Sequence, residues 1–127
     1  MKIEHIALWT TKLEELKDFY TTYFAATAGE KYHNPTKQFT SYFLSFDSGA
    51  RLEIMARPEV ELHPGDAYRK GLIHWAMSVG SKEKVNQLTE QLRKDGFEII
   101  GEPRTTGDGY YESVVADPDG NLVEITT

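Results

Sequence analysis

The chain has 127 residues, a length that suits one compact domain with a continuous core. Its 14 basic and 20 acidic residues give a formal net charge of −6, and no segment concentrates Lys and Arg, so we expect no nucleic-acid partner. No apolar run is long enough to cross a bilayer, so we expect no membrane partner either. Because there is no cysteine, disulfides and thiolate metal sites are excluded, and any metal chemistry would rest on imidazole and carboxylate.

The first half of the sequence predicts the element order βαβββ. Residues 3–10 have the pattern of a strand, and Thr11 with Glu14 has the spacing of a capping box that opens a helix. Three β-rich stretches follow, at residues 30–33, 39–46 and 50–56. Since this patterned segment begins almost at Met1 and shows no secretory leader, we expect a cytoplasmic protein.

The second half predicts the same element order. Residues 72–79 form a strand, Ser81 can cap the helix that follows, and Gly96 is a natural helix stop. Three further strands are predicted at residues 97–103, 110–116 and 121–127. The chain is therefore expected to be a single α+β domain of two tandem βαβββ modules, at about residues 1–57 and 71–127, joined by a connection at 58–70. That connection is long enough to cover a cleft as a lid.

One histidine and one glutamate recur at equivalent places in the two modules. His5 and His74 each stand two positions before an alanine. Glu53 and Glu124 each stand four positions after a turn glycine and directly before an isoleucine. Taken singly, such residues are more often solvent-facing or structural, but their repetition favours a shared role.

The apolar neighbours of each glutamate take the opposite face of its strand, so the carboxylates point into the concave side of a sheet. A buried carboxylate is costly unless a positive charge meets it. If the two modules face one another, His5, Glu53, His74 and Glu124 would supply two nitrogens and two oxygens to one divalent ion.

Several motifs resemble the glyoxalase I-like branch of the vicinal oxygen chelate superfamily over essentially the whole length. They are "IEHIALWT", "FYTTYF", "RLEIM", "LIHWAMSVGS" and "VVADPDGNLVEI". The resemblance implies paired βαβββ modules that form a cupped eight-stranded sheet around a divalent metal ion (Ni, Co, Mn, Fe or Zn), with the helices outside. It also implies the metal ligands His5, Glu53, His74 and Glu124.

The resemblance further implies a metal-dependent lyase or isomerase of the glyoxalase I type. Such an enzyme transfers a proton on a small substrate with two vicinal oxygens, through an enediolate. Glu124 and Glu53 would be the catalytic carboxylates, with Glu124 the first choice as base. Two positions that contact glutathione in that enzyme carry Trp9 and Arg57 here, which argues against glutathione as co-substrate. Trp9, Arg57 and Tyr111 are the residues predicted to line the substrate pocket.

Other functions known in the superfamily remain open at this stage. An extradiol-type dioxygenase would use two His and one Glu around Fe(II), which leaves Glu53 as a surplus ligand. An acyl-thioester epimerase would use the same proton-transfer chemistry. A non-catalytic, resistance-type binding protein would usually lack the full set of four ligands. The resemblance also implies a homodimer, with each site built from one chain or from two.

Overall fold

The computed structural model describes residues 3–60, 72–107 and 109–127. The chain divides into two compact units, Met1–Pro64 and Gly65–Thr127. Most of the predicted connection, and with it the predicted lid, lies outside the described residues. No helix within the described ranges has the length and apolar character needed to span a membrane.

The first unit contains one helix and five strands in its described part. These elements are β1 (His5–Trp9), α1 (Leu13–Tyr23), β2 (Thr27–Ala28), β3 (Tyr32–Asn34), β4 (Phe39–Ser45) and β5 (Arg51–Ala56). The strands form one sheet in the order β1-β5-β4-β2, and β3 also pairs with β4. The first and last strands, β1 and β5, run parallel, whereas the other pairs are antiparallel.

The core of the first unit lies between α1 and one face of this sheet. Helix α1 buries an apolar stripe that includes Leu16 and Tyr20, both fully buried, and it contacts β4 and β5. The sheet contributes Leu44, Leu52 and Ile54, which are also buried. Because side chains alternate along a strand, Glu53, which lies between Leu52 and Ile54 on β5, occupies the face of the sheet that α1 does not cover.

Helix α1 does not begin with the predicted capping box. Its N-cap is Lys12, and no side chain caps it. The hydroxyl of the buried Thr10 instead accepts a hydrogen bond from the Lys12 backbone N–H at 2.8 Å, while the Thr10 N–H donates to the Met55 carbonyl at 2.8 Å. Thr10 therefore fixes the turn into the helix and ties the end of β1 to β5, which leaves Thr11 exposed.

The second unit repeats the arrangement with one helix and four strands in its described part. These elements are β6 (His74–Ser78), α2 (Lys82–Lys94), β7 (Ile99–Thr105), β8 (Tyr111–Ala116) and β9 (Leu122–Thr126). The strand order is β6-β9-β8-β7, and again the first and last strands of the unit, β6 and β9, are parallel. Helix α2 buries Val85 and Leu92, and β8 and β9 bury Val115, Val123 and Ile125.

The predicted boundaries of α2 are confirmed. The Ser81 hydroxyl accepts from the Lys84 N–H at 3.2 Å, which satisfies one of the free donors at the start of the helix. After the helix, Gly96 has φ +90°, a conformation that favours glycine. The turn before β9 is also specific: the buried Asp117 carboxylate accepts from the backbone N–H groups of Asp119 and Asn121.

The predicted α+β fold class with two tandem modules is confirmed, with one difference in the strands. The described residues form two hydrogen-bonded sheets, of five and four strands, where eight strands were predicted. The extra element is β2, whose two residues pair with the end of β4. A strand this short carries too little alternation to be recognised in the sequence.

Candidate metal centre

In the first unit, the parallel pairing of β1 and β5 places His5 and Glu53 side by side on the face opposite α1. Ala7 is the register partner of Glu53, and His5 stands two positions before Ala7 on the same side of β1. Because alanine ends at Cβ, the imidazole and the carboxylate can approach each other across it. The His5 Nε2 atom lies 4.0 Å from the Glu53 Oε2 atom.

The second unit forms the same pair at the same register. Ala76 on β6 is the partner of Glu124 on β9, and His74 precedes Ala76 by two positions. The His74 Nε2 atom lies 3.6 Å from the Glu124 Oε2 atom. The repeat that the sequence shows is therefore also a repeat of geometry within each unit.

The distances and the exposure of these groups suit metal ligands. Zinc and similar ions bind nitrogen and oxygen at about 2.0–2.2 Å, so two ligand atoms of one tetrahedral ion lie about 3.4 Å apart. The 3.6 Å separation in the second unit is close to that value, the 4.0 Å separation in the first unit is somewhat longer, and both exceed hydrogen-bond length. The side chains of Glu53 and Glu124 are only 17% and 18% exposed, so each carboxylate is largely desolvated and benefits from a cation.

A larger ligand cluster is not found within the described residues. In residues 3–60, 72–107 and 109–127, no group of three or more His, Asp or Glu side chains is positioned to hold an ion. Each unit thus supplies one histidine and one glutamate, which is half of the predicted set. The four-ligand centre stays a prediction.

The surroundings of His5 include two residues that the sequence analysis did not single out. The Glu4 carboxylate contacts the His5 Nδ1 atom at 2.6 Å and the Arg51 guanidinium at 2.6 and 2.8 Å. The hydrogen bond with His5 lowers the pKa of Glu4 below its ordinary value, and the Arg51 contacts act in the same direction. Neither residue recurs in the second module, which has Ile73 and Leu122 at the equivalent positions, so the repeat gave no signal for them.

Two of the predicted pocket residues lie together in the first unit. Trp9 is 47% exposed, follows His5 on the same face of β1, and packs edge-on against Phe39 at 6.1 Å between ring centroids. The Arg57 guanidinium lies 5.9 Å from the centre of the Trp9 ring. Its Nε also donates to the Glu59 carboxylate at 2.7 Å, so the charge of Arg57 is already partly matched.

The third predicted pocket residue, Tyr111, does not share the face of Glu124. Its hydroxyl donates to the Asn86 side chain on α2 at 2.8 Å, and the Lys82 ammonium lies 5.0 Å from its ring. Val114, the register partner of Glu124, is three positions away on β8, so Tyr111 faces the other side of the sheet. The pocket prediction is wrong for Tyr111, since alternation alone could not show which of Tyr110 and Tyr111 faces the helix.

The family of the chain follows from its match to known sequences. Residues 2–125 match the Glyoxalase/Bleomycin resistance protein/Dioxygenase superfamily. The chain belongs to this superfamily. A similar sequence is the uncharacterized protein YqjT of Bacillus subtilis (strain 168), which is 28% identical over 97% of this chain and 96% of its own length.

Solved structures show that this superfamily fold extends over the whole chain. A glyoxalase family protein from Enterococcus faecalis superposes with a TM-score of 0.81 at 24% identity, and the match covers 99% of this chain and 97% of that one. A glyoxalase I variant from Zea mays gives a TM-score of 0.80 at 22% identity, covering 98% of this chain. The chain spans 44% of the length of that maize protein. At these identities the likeness establishes the fold.

Members of the superfamily typically bind a divalent metal ion, and the residues of this chain fit such an ion. The fit rests on the chemistry of the donors: each unit offers one imidazole nitrogen and one largely desolvated carboxylate at a distance that one ion can span. The metal itself is not identified by these donors, because His and Glu suit several first-row ions.

Proposed function

We propose that the protein is a metal-dependent enzyme of the glyoxalase I type, which moves a proton between neighbouring carbons of a small substrate with two vicinal oxygens. The observation that carries the proposal is the duplicated His–Glu pair, at the same strand register in both units. The proposed ligands of a single ion are His5, Glu53, His74 and Glu124, contributed by one chain or by two chains of a homodimer.

The bound ion would polarise both substrate oxygens and stabilise the negative charge that develops on them. The residues of the chain would then handle the proton. Glu124 is proposed to take the proton from one carbon and return it to the next, and Glu53 to complement it from the other module. The place of each carboxylate beside the histidine of its own unit supports this role, because it would put the proton acceptor next to the bound substrate.

The neighbouring aromatic residues support a substrate with an apolar portion. Trp9 and Phe39 present ring surface on the same side of the sheet as His5. Glutathione remains disfavoured as co-substrate, since Trp9 and Arg57 stand where charged and amide groups would be required, and Arg57 already pairs with Glu59.

The deciding experiment is elemental analysis of protein purified without chelator, for the wild type and for His74→Ala. We expect the wild type to contain about one divalent ion per set of four ligands and the variant to lose most of it, with little change in far-UV circular dichroism. His33→Ala is the matched control, because His33 is an exposed strand histidine in the part of β3 that pairs with Thr40.

The reaction is tested separately from the metal. Isomerisation of thiohemiacetals made from several thiols is compared with catechol ring cleavage and acyl-thioester epimerisation, using the metal-loaded protein. Full metal occupancy in His74→Ala would refute the metal centre. Catechol cleavage, or ligand binding with no turnover of any substrate, would refute the isomerase assignment while leaving the metal centre intact.

A further inference from the structure

We infer that Glu4 is a positioning residue for His5, holding the imidazole so that its Nε2 atom is the nitrogen available to a cation. This inference rests on the proposed metal centre and adds a residue that acts through one of its ligands. The observation behind it is the 2.6 Å contact between the Glu4 Oε2 atom and the His5 Nδ1 atom. An ionised carboxylate can only accept, so Nδ1 must carry the proton.

The position of the proton decides which nitrogen can bind a metal. When a neutral imidazole is protonated on Nδ1, its lone pair lies on Nε2. In His5, Nε2 is the atom that faces Glu53. Hydrogen bonds of this kind to the second nitrogen of a histidine are known to fix the tautomer and the ring orientation of metal ligands.

Glu4 is itself fixed by Arg51. The Arg51 side chain donates to Glu4 Oε1 at 2.6 and 2.8 Å, and its backbone N–H donates to the Glu4 carbonyl at 2.9 Å. The guanidinium also lies 4.1 Å from the centre of the Phe43 ring, and that ring packs edge-on against the His5 ring at 5.4 Å. The imidazole is thus held by a hydrogen bond on one atom and by an aromatic contact on its ring.

The second module is built differently around its histidine. Ile73 stands before His74, and Leu122 is the strand partner of His74, where the first module has Glu4 and Arg51. Neither of these side chains can form a hydrogen bond. The two proposed ligand histidines therefore differ in their surroundings: a carboxylate holds the Nδ1 atom of His5, and the second module has no such group at the equivalent position.

The test uses Glu4→Gln, which keeps the size of the side chain but changes what it can donate. Because Arg51 is a donor, it should take the amide oxygen, and the amide NH₂ would then point at the Nδ1 atom of His5. We expect long-range ¹H–¹⁵N NMR of the metal-free protein, at a pH where His5 is neutral, to show Nδ1–H in the wild type and a shift to Nε2–H in the variant. Glu4→Ala should give a mixture of both tautomers.

Metal affinity gives the second measurement. We expect Zn²⁺ affinity to fall about tenfold in both variants, the low end for such supporting residues, because Glu4 is 56% exposed. Two controls should match the wild type in both readouts: Ile73→Ala at the equivalent place in the second module, and Glu102→Ala, which breaks an exposed pair with Arg93 at 2.6 Å.

The inference and the proposed function fail in different ways. If His5→Ala lowers Zn²⁺ affinity but Glu4→Gln changes neither the tautomer nor the affinity, the role of Glu4 is refuted and the metal centre stands. A changed tautomer with unchanged affinity also refutes it. If the wild type and His5→Ala bind Zn²⁺ equally well, the proposed ligand set is refuted, whatever the tautomer of His5 in the metal-free protein.

Discussion

A buried pair of hydroxyl groups joins α2 to β8. Removing one hydroxyl should lower the free energy of unfolding by a different amount from removing the other. The Thr89 Oγ1 atom lies 2.7 Å from the Val85 carbonyl oxygen and 2.7 Å from the Ser113 Oγ atom, and both hydroxyl residues are buried. A carbonyl oxygen can only accept, so the single proton of Thr89 goes to Val85. Ser113 must therefore donate to Thr89.

The substitution Thr89→Val keeps the shape and has a similar helix propensity, but it leaves the Ser113 hydroxyl with no acceptor in a buried site. This should lower the free energy of unfolding by about 1–3 kcal/mol. Ser113→Ala removes the donor and leaves only an unused lone pair on Thr89, so it should cost about 1 kcal/mol or less. The double variant should be as stable as Ser113→Ala alone.

Urea unfolding followed by far-UV circular dichroism gives the three free energies, and thermal melts give the corresponding shifts in Tm. We expect Thr89→Val to be the least stable of the three variants. If the two single effects add in the double variant to within about 0.3 kcal/mol, the hydroxyls are not coupled and the reasoning is refuted. A Thr89→Val protein more stable than Ser113→Ala would contradict the assigned direction of the hydrogen bond.

Three further predictions concern the ion pairs of Glu14 on α1, the two alanines beside the His–Glu pairs, and Tyr111. Hydrogen bonds from Lys31, Lys17 and Tyr42 lower the pKa of Glu14 to about 2, so its contribution to stability is present above pH 4.5 and is lost as the pH falls towards 2. In Glu14→Gln, the free energy of unfolding measured with urea should therefore vary less with pH over that window, by under about 1 kcal/mol because Glu14 is half exposed. Ala7→Val and Ala76→Val should each lower Zn²⁺ affinity about tenfold with folding unchanged, because each adds bulk between a histidine and a glutamate. If calorimetry shows the wild-type Zn²⁺ affinity in both variants, the proposed His–Glu pairs are contradicted. Tyr111→Phe should leave kcat and KM unchanged and lower the free energy of unfolding by about 1 kcal/mol at most, because the Tyr111 hydroxyl bonds to Asn86 on α2. An altered KM would indicate that Tyr111 contacts the substrate after all.

The sequence was sufficient for the parts of the fold that repeat. The His-x-Ala pattern and the glutamate after each turn glycine predicted equivalent strands, and the parallel registers of β1 with β5 and of β6 with β9 agree with it. The cap at Ser81 and the stop at Gly96 were also predictable, because each depends on one residue and its immediate backbone.

Features that depend on contacts distant in sequence were not predictable. Thr11 fits the start of a helix locally, but the helix has Lys12 as its N-cap, and the turn before it is held by Thr10, whose backbone bonds to Met55, 45 positions away. The face of Tyr111 depends on which side of β8 is covered by α2, which spacing alone does not reveal. Glu4 and Arg51 are 47 positions apart, so the ion pair between them, which holds Glu4 beside His5, becomes visible only once β1 and β5 are paired.

The parallel pairing of β1 with β5, and of β6 with β9, also has a consequence for when the proposed metal centre could form during folding. Each histidine and its glutamate come from the opposite ends of a module, about fifty residues apart along the chain, and closing such a long loop is among the slower steps of folding. A chain emerging from the ribosome would lack either pair until the final strand of that module had docked. Loading with metal would therefore report completed folding, and an ion that binds only the finished module would shift the equilibrium away from incomplete forms.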